Sequence, residues 1–284
     1  MSQINYVETA DFYVERDVMK APLHEMHYHN GVEVYYLIKG ERDYFIGDDF
    51  YKLTEGDAVI IPGGVLHRTA GRGASRYLVY FDPDILRGFF SERMLECIEM
   101  GKTIVFHPDE TRRESFLAAF NTLFSEYGRL NDKGTAAEQP LIGGHLFEIL
   151  FTMSCGNNTY VNRDCSDGRV GEIIKYVNEN YGSIRSIDEI AERFFVSKYH
   201  LCRVFNKSLG VPLMTYLNTI KVKNAASMIG AGRMKLTDVA TACGFNSSSY
   251  FSKEFRAEMG ISPTEYRKKL KAEKQGNDGA RSKE

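Results

Sequence analysis

Ile187-Asp-Glu-Ile-Ala191-Glu-Arg-Phe-Phe-Val196-Ser197-Lys-Tyr-His-Leu201-Cys-Arg-Val-Phe205, followed by Leu209-Gly210-Val211-Pro212, decides how half of this chain folds, because the chain repeats it. The second copy is Leu236-Thr-Asp-Val-Ala240-Thr-Ala-Cys-Gly244-Phe245-Asn-Ser-Ser-Ser-Tyr250-Phe251-Ser-Lys-Glu-Phe255, then Met259-Gly260-Ile261-Ser262-Pro263. Ala191 and Ala240 are 49 residues apart, while Leu201/Phe251, Phe205/Phe255 and Gly210/Gly260 are each 50 apart. A fixed period means one supersecondary unit built twice, with the extra residue in the second copy's turn.

Each copy predicts a short helix, a tight turn and a second helix. Ile187, Ile190, Ala191 and Phe194 recur at helical spacing, as do Leu236, Val239, Ala240 and Cys243. The second helix opens on a capping residue, Ser197 in one copy and Asn246 or Ser247 in the other. It keeps Leu201, Val204 and Phe205, or Phe251 and Phe255, for the core. The opposite face carries Lys198, Tyr199, Cys202, Arg203 and Lys207, or Ser248, Ser249, Ser252, Lys253 and Arg256. This is the helix-turn-helix plan, whose second helix is shaped for a DNA major groove. Leu213 to Ile229 predicts one linking helix, with Leu213, Tyr216, Leu217, Ile220, Ala225 and Met228 facing inward.

The arrangement resembles the AraC/XylS family of bacterial transcription regulators over about a hundred residues, Gly168 to Leu270. Ala240-x3-Gly244-Phe245, Tyr250-Phe251-Ser252-x2-Phe255 and Gly260-Ile-Ser-Pro263-x2-Tyr266-Arg267 carry the resemblance. It implies sequence-specific binding to double-stranded DNA, two successive major grooves being read by the two units. By position in the family's two reading helices, Tyr199, Cys202, Arg203, Ser248, Ser249, Ser252 and Lys253 are assigned to base edges. Lys198, Lys207 and Arg256, with the helix N-termini at Ser197 and Asn246, are assigned to phosphates. The linking helix has Lys221 where the family usually has Arg, which leaves a backbone clamp or packing salt bridge there open.

Charge divides the chain. Residues 1–166 hold 16 basic against 25 acidic residues, and residues 167–284 hold 20 against 13. A net −9 beside a net +7 places nucleic acid at the C-terminal end only. No apolar run reaches the ~18 residues of a membrane span, and the N-terminus lacks a signal-peptide pattern. The five scattered cysteines, Cys97, Cys155, Cys165, Cys202 and Cys243, fit reduced cytosolic thiols, so the expected location is the cytoplasm.

Residues 7 to about 82 alternate in short strands separated by turn clusters such as Thr54-Glu-Gly-Asp57 and Pro62-Gly-Gly64, which predicts a small barrel or jelly roll. Two motifs here resemble a cupin: His27-x-His29-x3-Glu33-x6-Gly40, and Gly56-x5-Pro62-x-Gly64-x2-His67, with Gly71 where that pattern would have Asn. In metal-binding cupins the positions of His27, His29, Glu33 and His67 hold a divalent metal. In regulators of this family they often remain hydrogen-bonding groups of the barrel. No cofactor is required by this reading, and a divalent metal stays open. His27, His29, Glu33, Tyr35, Tyr44, His67 and Arg68 are the candidates to face a small-molecule effector, for which a sugar is one choice.

After Pro83 the period turns helical over Asp84–Met100. A short strand follows at Thr103–Phe106, then amphipathic helices over Pro108–Leu130 and Ala136–Met153. Leu123, Leu130, Leu141, Phe147 and Leu150 leave apolar surface beyond what covers one barrel, which in this family suits a homodimer. The expected fold is therefore α+β in two domains. A cupin-like barrel with following helices fills 1–155, a linker 156–168, a double helix-turn-helix domain 169–270, and a disordered tail 271–284. The expected function is a DNA-binding regulator, not an enzyme, with RNA polymerase a candidate partner and no membrane. Two alternatives stay open: a cupin enzyme fused to a DNA-binding module, and a constitutive regulator whose barrel is only a scaffold.

Overall fold

The computed structural model describes residues 5–6, 11–19, 25–71, 73–98, 100–131, 139–156 and 168–281. The chain falls into two compact units, Val7–Ser166 and a second holding Asp167–Glu284 with Met1–Tyr6. Apart from Gly156 and Gly168, the expected linker lies outside the described residues, as does Cys165. No described helix is long and apolar enough to cross a membrane.

In the first unit, antiparallel strands form two sheets. One runs His27–Tyr28, His67–Ala70, Arg42–Ile46, Asp49–Leu53; the other runs Ile104–Phe106, Ala58–Ile61, Val32–Lys39, Ala74–Phe81, Phe12–Met19. Strand Val32–Lys39 shows why both its faces are apolar. Tyr35 and Leu37 join Tyr44, Ile46, Leu53 and Val59 in a core between the sheets. Val32, Val34 and Tyr36 point the other way, into a layer with Phe116, Phe120 and Leu146. A strand covered on both sides loses its polar alternation, so its burial is nearly continuous.

That second layer is built by helices Glu110–Asn131 and Pro140–Cys155. Phe120 stacks on both Tyr36 and Tyr77, with ring centroids 4.9 and 5.7 Å apart. Leu123, Leu130 and Leu150, expected to leave surface for a dimer, are instead consumed by this packing. Leu141 and Phe151 remain exposed. The helix expected over 84–100 is two short pieces, Asp84–Arg87 and Glu92–Leu95, because Gly88 caps the first and Ser91 turns extended before the second.

The second unit is all helical: Gly168–Asn180, Ile187–Arg193, Lys198–Leu209, Leu213–Ala231, Leu236–Ala242, Ser248–Met259 and Pro263–Arg281. The last one corrects the expected disordered tail. Lys268 to Gln275 is a run of good helix formers, and the helix continues to Arg281 through Gly276-Asn-Asp-Gly279, which local propensity does not explain. The linking helix is buried along Leu213, Tyr216, Leu217, Val222, Ala225 and Ile229, whereas the expected Ile220 and Met228 are half-buried at its margins.

Candidate nucleic-acid interface and barrel site

The second helix of each pair is set by the same devices in both copies. Ser197 Oγ accepts from the His200 amide at 3.2 Å, and Ser247 Oγ accepts from the Tyr250 amide at 3.1 Å. The cap is thus Ser247 and not Asn246, since Ser247 has the extended backbone, φ −152° and ψ 148°, that aims its side chain at the third amide. Both helices stop at a left-handed glycine, Gly210 at φ 71° and Gly260 at φ 73°. Between caps, Leu201, Phe205, Phe251 and Phe255 are buried.

The opposite faces are open. Lys198, Tyr199, Arg203, Lys207, Ser248, Ser249, Ser252, Lys253 and Arg256 are exposed, and Cys202 is half-buried. Two of these cations already have carboxylate partners: Lys198 bridges Asp188 at 2.8 Å, and Arg256 bridges Glu265 at 3.0 Å. Both pairs are exposed and weak, so a phosphate can compete for either cation.

Lys221 settles the point its identity left open. It is 4% exposed, and its Nζ donates to Ile184 O and Gly244 O, 2.8 Å each. One carbonyl belongs to the approach to the first copy and the other to the turn of the second. Lys221 also lies 5.7 Å from the centre of the Phe245 ring. Burial lowers its pKa, as does Arg185, yet the two carbonyls satisfy a charged ammonium. The backbone clamp is therefore present with Lys in place of Arg. No period or motif in the sequence could have located its two acceptors.

In the first unit, the pleat brings most of the expected barrel residues together. His27 pairs directly opposite His67, with rings 4.2 Å apart. Glu33 Oε2 lies 3.1 Å from His29 Nε2 and 3.6 Å from His67 Nε2, and its Oε1 accepts from the Tyr44 hydroxyl at 3.2 Å. The Tyr35 and Tyr44 rings meet edge-on at 5.2 Å. Arg68 is set apart. His67 and Thr69 are buried on the inner side, so alternation sends Arg68, paired with Phe45, to the other face.

The tautomers of the imidazoles follow from their backbone contacts. Nδ1 of His27, His29 and His67 sits 3.1, 3.0 and 2.9 Å from the carbonyls of Glu25, Gly31 and Val65. A carbonyl only accepts, so each Nδ1 carries a proton, and Nε2 of His29 and His67 is turned toward Glu33. His67 Nε2 has no hydrogen-bond partner among the described residues. His27 is held neutral, its pKa lowered to about 4 by burial and by His67. Burial pushes the Glu33 carboxyl up, but the imidazoles of His29 and His67 beside it outweigh burial and hold the group well below the usual range.

The donor set fits a divalent metal. His27, Glu33 and His67 offer ligand atoms within 4.8 Å of one another, and the Nδ1–carbonyl bonds are the outer-shell contacts that orient ligating imidazoles. A nitrogen-and-carboxylate set of this kind suits Zn, Ni, Fe or Mn, any of which would supply Lewis acidity at the inner end of the barrel. One inward residue escaped the sequence reading. Arg42 begins a strand on which Arg42, Tyr44, Phe45 and Ile46 are all buried and only Asp43 is exposed, so no alternation in the sequence marked its face.

Comparison with known proteins agrees with this architecture. Residues 190–269 match the family model described as a helix-turn-helix domain, and residues 17–81 match one described as a cupin domain. The chain is similar to the HTH-type transcriptional activator AarP of Providencia stuartii, 35% identical over 98 residues, which cover 34% of this chain and 73% of that protein. It is also similar to the arabinose operon regulatory protein of Salmonella typhimurium, 24% identical over 265 residues, which cover 90% of this chain and 87% of that protein. Two helix-turn-helix units behind a cupin domain, with these relatives, place the chain in the AraC/XylS family of DNA-binding transcription regulators.

Proposed function

We propose that this chain regulates transcription by reading two successive major-groove faces of an operator, under the control of a small molecule held in the N-terminal barrel. One observation carries the DNA half of the reading. Two reading helices with matching caps are joined by a buried linking helix whose Lys221 bonds to both copies. Two rigidly joined helices suit faces roughly 34 Å apart, with the DNA bending to meet them. Arg203 is the sharpest base contact, since guanidinium pairs bidentately with guanine. The Ser-rich second helix reads more weakly, through phosphate and water.

The effector half rests on the buried polar interior of the barrel, where His27, His29, Glu33, Tyr35 and Tyr44 face inward from neighbouring strands. Exposed Leu141 and Phe151 support a homodimer through helix Pro140–Cys155. Selection of bound sequences from a random double-stranded library tests the DNA reading. The expected product is two half-motifs about one helical turn apart. A single uninterrupted half-motif would reduce the protein to one reading helix. Mass spectrometry of the small molecules released from the purified protein tests the effector reading, and changed DNA affinity on adding the released compound back is the expected result.

A second reading concerns the ligand atoms of His27 and His67 beside Glu33: a divalent metal bound by His27, Glu33 and His67. Metal analysis of protein purified without chelator should return about one ion per chain, and His67→Ala should lose it.

A further inference from the structure

The inward residue that no motif picked out says what kind of effector the barrel takes, granted that it takes one. Arg42 is 0% exposed, and its Nε, Nη1 and Nη2 have no hydrogen-bond partner among the described residues. The Tyr35 hydroxyl lies beside it: burial raises its pKa and Arg42 pulls it back, though the two fall short of full hydrogen-bond geometry. The nearby charges are already committed. Arg76, 5.7 Å from the centre of the Tyr35 ring, bridges Glu15 at 3.1 Å through Nη2. Glu33 accepts from Tyr44 and contacts His29. No ion pair with Arg42 occurs among the described residues. A buried guanidinium with five donors and no carboxylate to meet them is among the least tolerable groups a fold can hold.

We propose that Arg42 and Tyr35 receive the anionic head of the effector, a small organic acid whose carboxylate takes the guanidinium fork while the Tyr35 hydroxyl donates to it. Carboxylate and guanidinium match in plane and spacing, which favours a bidentate pair over contact with a neutral hydroxyl. The flanking side chains Leu37, Leu53, Val59 and Ala74 are apolar, so they suit a compact hydrocarbon or aromatic body more than a polyhydroxylated one. Gly71 is a neighbour of the guanidinium: a Cβ there would stand 3.6 Å from Arg42 Nη1. A phosphate ester presents the same anionic chemistry, and the test separates the two.

The test uses the full chain at constant ionic strength. Thermal melting is recorded for wild type, Arg42→Met and Arg42→Gln, alone and with benzoate, acetate, glucose 6-phosphate or neutral glucose. Without ligand, Arg42→Met should melt higher than wild type by about 2–4 °C or more, because an uncompensated charge has been removed. Benzoate or acetate should raise the wild-type melting temperature, and both substitutions should abolish the rise. Stabilisation by glucose 6-phosphate alone would assign the anion to a phosphate. A ligand-free Arg42→Met that melts lower, or fails to fold, would overturn the proposal, since the fold itself would then be holding the guanidinium. So would a wild type stabilised by none of the anions. Stabilisation by glucose that survives both substitutions would overturn the anion and leave the effector reading standing.

Discussion

At the turn between its helices, the first copy holds Phe195 at φ 54° and the second holds Gly244 at φ 75°. The backbone does the same thing twice. Val196 N bonds to Ala191 O at 3.0 Å, and Phe245 N bonds to Ala240 O at 2.9 Å. The surroundings differ. A Cβ on Gly244 would come within 2.5 Å of Gly182 O, so only glycine fits. Phe195 is 93% exposed and meets nothing that forbids a side chain. The second turn is pressed against the rest of its unit, and the first faces outward. The reading faces differ in the same sense. Tyr199 and Arg203 stand free on the first, whereas the second helix is tied back to the linking helix. There Asn218 Nδ2 bonds to the Tyr250 hydroxyl at 2.7 Å and to Glu254 at 2.9 Å, and Thr219 bonds to Glu258 at 3.2 Å. One reading face is open and the helix of the other is anchored.

The largest effects should show whether the copies are one cooperative body. Leu201→Asp and Phe255→Asp each bury a charge without a partner, which costs more than about 4 kcal/mol. Each should abolish helical melting of the whole C-terminal unit, followed by circular dichroism. If either variant lost only half of that signal, the copies would be folding separately. Lys221→Met comes next, because it strips the shared donor from two carbonyls. Leaving both unmade costs about 2–6 kcal/mol at the usual penalty per buried group. A loss of stability without weaker operator binding would mean that the clamp does not set the relation between the reading helices.

The proposed division of labour between the reading faces predicts an asymmetry in binding. Arg203→Ala should lower specific affinity about 10- to 100-fold, the equivalent of one bidentate base contact, and lower affinity for random DNA far less. Lys253→Ala should weaken both by a similar, smaller factor. Titrations of selected and random duplexes at one salt concentration decide it. Equal losses for Arg203→Ala would reduce Arg203 to a phosphate contact.

What the sequence reveals of this comparison depends on range. The duplication, the buried Leu201, Phe205, Phe251 and Phe255, and the exposed reading faces follow a period, and periods are local. The cap of the second copy was ambiguous between Asn246 and Ser247, because both residue types cap well and only backbone direction separates them. Lys221 was visible as an oddity, yet its acceptors Ile184 and Gly244 lie 37 and 23 residues away and are backbone atoms. In the barrel, the histidine and glutamate positions were legible as a spaced motif. Arg68 was not placed correctly, because one residue of register reverses a strand face. Arg42 stood in Arg42-Asp43-Tyr44-Phe45-Ile46, where no polar alternation marks an inward face.

The turn itself supports a smaller test. A non-glycine residue in the left-handed region costs about 1 kcal/mol, partly offset by the greater unfolded freedom of glycine. Phe195→Gly should therefore raise stability by about 0.5 kcal/mol or less. Gly244→Ala should destabilise the unit far more, since it meets both the φ restriction and the Gly182 carbonyl. If the two substitutions had similar effects, the contrast between an open and a pressed turn would be wrong.

The smallest effect lies where the copies end. After Gly260, Ser262-Pro-Thr-Glu265 forms a capping box: Ser262 N donates to Glu265 Oε2 at 2.8 Å, and Glu265 N donates to Ser262 Oγ at 3.3 Å. After Gly210 the chain has Val211-Pro212-Leu213-Met214, with no side chain able to do this. Hydrogen bonds from Ser262, then Arg256, hold the Glu265 carboxyl down at about 2. Its folded pKa is thus below its unfolded value, so its contribution is present above about pH 4.5 and fades as pH falls toward 2. Glu265 is exposed, and solvent screening keeps the effect small. Melting wild type and Glu265→Gln between pH 6 and 2.5 should show a small gap that closes with acid. A gap that persisted at the acid end would mean that packing of the closing helix, not the charge of its cap, distinguishes the two copies' ends.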